Sequence, residues 1–200
     1  MRISGGKARG CRLLGPKDEQ RFLRPTCDRV REALFNILGR RVQNAMALDL
    51  FAGTGSWGLE ALSRGARAVL FVDESPEAGR LVAANLRHCL PETETAGQAG
   101  FLRLRLGPAS RLGWLATKIP APHQFDLVFM DPPYQKNLAA QVLKVVEEAQ
   151  ILSSQALVVA EEHQAVVLPE RVGRLHAVDR RQYGESSLWL FALNSQPNGA

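Results

Sequence analysis

The sequence predicts an α/β protein: a mostly parallel seven-stranded sheet with an antiparallel edge pair, preceded by an N-terminal β-hairpin extension. Three observations predict it. Short apolar runs alternate with helical periodicities from residue 45 onward, the pattern of right-handed crossovers onto a parallel sheet. The last two runs have no helix between them and should pair antiparallel. Glycines punctuate the first sixteen residues as they do in a hairpin.

The extension, residues 1–25, carries Gly5-Gly6 and Gly10 and ends at Gly15-Pro16, followed by a polar loop. A helix is expected over Thr26–Leu38. Val30, Ala33, Leu34, Ile37 and Leu38 form one apolar stripe, Thr26 or Asp28 caps it, and Gly39 stops it. Strands are expected at Ala45–Phe51, Ala68–Val72, Phe101–Leu106, Phe125–Met130, Ala156–Glu161, Leu175–Arg181 and Ser187–Leu193. Helices are expected at Ser56–Arg64, Pro76–Leu90, Ala109–Leu115 and Asn137–Ala149. Tyr183-Gly184-Glu185 reads as the turn of the final pair. The main domain thus covers 26–194, with a loose tail at 195–200.

At 200 residues, 46% hydrophobic and 22% charged, the chain can bury one sizeable core. Cys11, Cys27 and Cys89 read as free thiols in a reducing cytoplasm, and the scattered histidines predict no metal site. No apolar run is long enough to cross a membrane, and the N-terminus lacks a signal peptide's apolar stretch. The net charge of +5 is uneven: residues 1–31 hold nine basic and three acidic residues, and the rest hold 16 and 17. Basic residues gathered this way contribute affinity for a nucleic-acid backbone by releasing its counterions, so the start of the chain reads as a phosphate-contacting arm.

Gly53, Gly55 and Gly58 match G-x-G-x-x-G between a strand and a helix, and Asp73 follows Gly53 by 20 residues at the end of the next strand. Glycines there allow a sharp turn and close approach to a ligand, while a carboxylate at that spacing accepts ribose hydroxyls. The alternative is a set of ordinary turn glycines. Asp49, four residues before the first glycine, opposes a pyrophosphate and favours a cationic nucleoside, S-adenosylmethionine (SAM), over a dinucleotide. Its plainer reading is a turn carboxylate.

A later strand ends in Asp131-Pro132-Pro133-Tyr134. Two prolines fix the turn and remove two N–H donors, leaving carbonyl oxygens, one carboxylate and one aromatic ring. Such a turn accepts the protons of a nucleobase amine while Tyr134 stacks on its ring. The alternative is an ordinary Pro-Pro loop. Both turns follow carboxyl ends of strands in one expected sheet, where ligands of open α/β sheets bind.

Asp49-x-Phe51-x-Gly53-x-Gly55 with Asp131-Pro132-Pro133-Tyr134 resembles the SAM-dependent amino-methyltransferases. That class uses (D/N)PPY for adenine, cytosine or guanine amines and for glutamine side chains. Arg24-Pro25-Thr26 through Leu38, Met1-Arg2-Ile3, Gly5-Gly6-Lys7-x-Arg9-Gly10, Leu59–Ala66 and Tyr183-Gly184 more specifically resemble the RsmD-type small-subunit ribosomal RNA guanine-N2 methyltransferases. The likeness runs from Met1 to about Leu193. It implies a Rossmann-like SAM-dependent methyltransferase fold acting on a guanine of small-subunit rRNA or a 30S assembly intermediate, as a cytoplasmic monomer. Carried over, Asp49, Phe51, Gly53, Gly55, Asp73 and Gly107 would line SAM. Asp131, Pro132, Pro133 and Tyr134 would hold the amine, and Lys7, Arg9, Arg24, Arg29 and Arg31 would meet RNA. One departure stands out. The family's Gly-Asp-Ala reads Gly107-Pro108-Ala109 here, and proline offers the adenine neither carboxylate nor N–H. Competing expectations are a DNA adenine or cytosine amino-methyltransferase, an NAD(P)-dependent oxidoreductase, and a non-catalytic RNA-binding protein.

Overall fold

The structure, a computed structural model, describes residues 1–16, 25–90, 97–105, 124–133 and 138–194, with backbone alone at 25–27. The expected helix at Ala109–Leu115 and the tail at 195–200 lie outside those residues, as do the site candidates Arg24, Gly107 and Tyr134. The chain divides into two compact units, Met1–Leu106 and Gly107–Ala200.

In the first unit, β1 (Met46–Leu50), β2 (Ala68–Asp73) and β3 (Ala99–Arg103) are parallel, with β2 in the middle. Ala47, Leu48 and Leu50 are fully buried, as expected of a parallel strand covered on both faces. β3 begins two residues before the expected start. As a half-exposed strand it has no deep apolar run to fix its limits by pattern, and its pairing of Val69 with Ala99 sets them instead.

Three helices cover this sheet: α1 (Pro25–Leu38), α2 (Ser56–Ser63) and α3 (Pro76–Cys89). Gly39 ends the regular part of α1 at φ 52°, as expected. The buried face of α1 is Val30, Arg31, Leu34, Phe35 and Leu38, while Ile37, expected on the stripe, is 39% exposed. The stripe is rotated because Phe35 stacks on Trp57 of α2, ring centroids 6.3 Å apart. α3 opens with Ser75 accepting the Glu77 N–H at 3.1 Å and Pro76 in its first turn.

The first sixteen residues fold back on themselves, with Arg2 bridged antiparallel to Arg12 and Ile3 N–H donating to Cys11 at 3.0 Å. This hairpin lies on α2. Lys7 N–H donates to the Ser63 carbonyl at 2.8 Å, and a Cβ at Gly6 would collide with that carbonyl.

In the second unit, β4 (Phe125–Met130) runs parallel to β5 (Leu152–His163), and α4 (Leu138–Glu148) connects them. Beyond β5 the order is β8 (Ser186–Leu193), β7 (Leu175–Tyr183), then β6 (Arg171–Val172), all antiparallel. The turn at Gly184, φ 58°, joins β7 to β8 as expected. The described residues thus hold eight strands instead of seven. The extra one, β6, has two residues, too few to leave an alternation in the sequence.

Two expectations about side chains are corrected. Cys11 and Cys89 are joined in a disulfide, so they are not free thiols. Their distance along the chain was no guide, because the hairpin returns Cys11 to the end of α3. His88 joins them: one donor atom from each of Cys11, His88 and Cys89 lies within 4.8 Å of the others. Glu161 and Glu162 read in the sequence as solvated residues at a strand end, but they are 4% and 1% exposed. β5 continues through them and pairs with β8 up to His163 and Ser186, which takes both carboxylates into the sheet.

Candidate active site

The turn after β1 is built from left-handed backbone. Phe51, Gly53 and Gly55 have φ of 62°, 53° and 78°. Phe51 is the costly member, since a side chain in that region is strained. Among the described residues, a Cβ added at Gly53 would have only the Phe51 carbonyl within reach, at 3.9 Å. The third glycine serves packing, because a Cβ at Gly58 would strike the Phe71 ring of β2.

Asp49 projects from β1 with no exposure. One oxygen, Oδ2, accepts the Gly58 N–H at 2.9 Å, while Oδ1 is buried with no hydrogen-bond partner among the described residues. Burial is the main reason its pKa rises from 3.8 to about 8. The Gly58 hydrogen bond opposes that rise, and the charge of Asp73 adds to it. A buried carboxylate oxygen without a donor is a standing cost that a cation with N–H groups would remove.

Asp73, half-buried at the end of β2, accepts Gly53 N–H through Oδ2 at 2.9 Å and Ser75 N–H through Oδ1 at 2.8 Å. These bonds fix the carboxylate against the turn and leave a lone pair on each oxygen for further donors such as a diol. The turn therefore suits a cationic nucleoside: a carboxylate in need of a cation, a second one poised for hydroxyls, and an open glycine between. The Asp73 carboxylate beside Gly53 also disfavours a pyrophosphate.

At the end of β4, Asp131 is half-buried, Pro132 buried and Pro133 exposed. Pro132 and Pro133 have no N–H, so at these two positions the turn offers only carbonyl acceptors, next to the Asp131 carboxylate.

Of the basic candidates, Lys7, Arg9 and Arg29 are exposed, as are Arg2 and Arg12 on the same hairpin. Arg31 is not available to RNA. It is 1% exposed, and its guanidinium donates to Glu60 at 3.3 Å, to Asp28 at 2.9 Å and to the Arg2 carbonyl. Its place on the α1 face that packs inward makes it a fastener of the hairpin.

Two residues that organise the site escape motif reading. Glu60, fully buried in α2, accepts from Ser4 N–H (2.7 Å), Ser4 hydroxyl (2.8 Å), Gly5 N–H (2.8 Å), Arg31 and Arg64. Asn85 of α3 accepts Leu14 N–H at 2.7 Å and donates to the carbonyls of Leu14 and Thr54, tying hairpin, helix and glycine turn together. The signal was present: Asn85 falls on the buried stripe of Ala78, Val82 and Cys89, where an amide must be satisfied.

The family described as Conserved hypothetical protein 95 matches residues 1–192. The Escherichia coli protein named ribosomal RNA small subunit methyltransferase D is 37% identical over 161 residues, covering 80% of this chain and 74% of its own. Its namesake in Haemophilus influenzae is 38% identical over 161 residues, covering 80% and 78%. Among solved structures, a hypothetical protein of Thermus thermophilus superposes with a TM-score of 0.74 at 33% identity, covering 96% of this chain and 99% of that one.

Proposed function

This chain belongs to the RsmD-type methyltransferase family, and from that premise we propose that it methylates the exocyclic 2-amino group of a guanine in small-subunit ribosomal RNA, with SAM as donor. The observation that carries the donor's identity is Asp49: a buried carboxylate with one unpartnered oxygen beside a glycine turn. SAM supplies a methyl group on a sulfonium, together with an ammonium and a ribose diol, and no phosphate.

In this reading Asp49 and the turn at Gly53 and Gly55 hold the methionine part, and Asp73 holds the ribose. Asp131 and the Pro132 carbonyl accept the two protons of the guanine amine, and Tyr134 stacks on the ring. Those bonds turn the nitrogen lone pair out of ring conjugation. As positive charge grows on the nitrogen, Asp131 stabilises it in place. A strong base is not needed, because the methylated amine is acidic until it loses a proton. The target guanine must leave its stack to reach such a turn, so an open or partly assembled RNA is the expected substrate. Lys7, Arg9, Arg24 and Arg29 contact its backbone.

The test is the split between binding and transfer in Asp131→Ala. Methyl transfer to small-subunit RNA should fall roughly 10²–10³-fold in kcat while SAM affinity stays unchanged. Equal transfer by wild type and variant would remove Asp131 from the mechanism. Preferential transfer to DNA in a competition would move the enzyme to the DNA-directed branch of the class.

A further inference from the structure

The hairpin has two separate anchors. Residues 4–8 are held on α2 through Glu60 and Ser63. The return limb is held on α3, where Leu14 bonds both ways to the Asn85 amide and Cys11 is joined to Cys89. Asn85 and Cys89 are four residues apart, so they share one face of α3. The hydrogen-bonded pair therefore brings the return limb alongside Cys89 independently of the sulfur atoms. The Cα atoms of Cys11 and Cys89 are 5.7 Å apart, within the range that a bridge requires.

We propose that Cys11 and Cys89 form a reversible thiol–disulfide site, oxidised by low-molecular-weight disulfides, that clasps the return limb of the basic hairpin onto α3. Exposure sets the order of events. Cys11 is half-buried and reachable, whereas Cys89 is 8% exposed. The Cys11 thiolate attacks one sulfur of the small disulfide, forming a mixed disulfide and expelling one thiolate. The Cys89 thiolate then attacks Cys11 Sγ, forming the internal bond and expelling the second. The two cysteine protons end on the two released thiols, so two thiols are oxidised as one disulfide is reduced. The exposed His88 imidazole, with a nitrogen within 4.8 Å of both sulfurs, is placed to receive a departing thiol proton.

The clasp acts locally. It closes 78 residues of chain, and it fixes the limb that carries Arg9 and Arg12 while the Glu60 anchor stays as it is. Through Asn85 the same limb is tied to the Thr54 carbonyl in the glycine turn.

The test uses the full-length protein in buffers of reduced and oxidised glutathione, read by alkylation and intact mass. Two of the three thiols should disappear on oxidation, map to Cys11 and Cys89, and return with excess thiol. The unfolding midpoint should rise by roughly 5–10 °C on oxidation. Hydrogen exchange at the Leu14 amide should slow on oxidation, while Ser4 and Gly5 amides stay unchanged. Cys11→Ser and Cys89→Ser should each abolish the difference. Full alkylation of Cys11 and Cys89 across the whole redox range would overturn the proposal, as would pairing of either with Cys27. So would stoichiometric zinc uptake by the reduced protein that blocks oxidation and is lost in His88→Ala, since the cluster would then be a metal site.

Discussion

Asp49 and Glu60 are both fully buried carboxylates, eleven positions apart on either side of the glycine turn. Glu60 receives five donors, two of them from arginines. Among the described residues Asp49 receives one, on one oxygen, and the other oxygen has none. The contrast separates two uses of buried charge. A saturated carboxylate holds elements together; an unsaturated one keeps an acceptor for the cation that we propose it binds.

The largest effect should come from breaking the saturated member. Glu60→Ala strands the buried Arg31 guanidinium and releases Ser4 and Gly5. We expect a loss of roughly 3–5 kcal/mol, read as a lower denaturation midpoint. Asp49→Asn should do the opposite to the free protein. The Asp49 carboxyl titrates near 3.8 when unfolded and at about 8 when folded, so between those values the folded state holds the extra proton. Wild-type stability therefore loses ground as pH rises through that window and levels off above it. The asparagine variant escapes that loss, and its thermal midpoint should exceed wild type by a margin that grows from pH 5 to pH 8.

The same variant should bind SAM roughly 10–100-fold more weakly, because a charge-assisted bond is lost, as titration calorimetry would show. A variant stabilised at pH 8 but unchanged in SAM affinity would make Asp49 a mere turn carboxylate. A smaller effect follows from pH. SAM binding displaces the Asp49 proton, so from pH 7 to pH 8 affinity should rise by up to about tenfold in wild type and not in Asp49→Asn. The smallest belongs to the segment that Glu60 fastens. Lys7→Ala or Arg9→Ala should weaken RNA binding a few-fold and reduce the magnitude of its salt slope by about one per lost phosphate contact.

The residues that announced themselves in the sequence were those with a fixed spacing. The strand–turn–helix at Leu48–Gly58 and β4 with its Asp131-Pro132-Pro133 lie where periodicity and turn chemistry put them. The left-handed backbone at Gly53 and Gly55 explains the choice of glycine there. The long-range contacts were not legible. Arg31 reads as one more basic residue in a basic stretch, and only the fold shows it turned inward to Glu60. Cys11 and Cys89 have no local signature because a hairpin and a helix end bring them together. β6 is too short, and β3 too exposed, for pattern to place their limits.

The central proposal is that the turn at Gly53 and the turn at Asp131 serve one reaction, methylation of a guanine amine. The direct measurement incubates the protein with deuteromethyl-labelled SAM and small-subunit RNA, naked and partly assembled. The RNA is then digested and its nucleosides read by mass spectrometry. Label in N2-methylguanosine, from a single RNA position, is the predicted result. Label in any other nucleoside, or none in any RNA form, would contradict it.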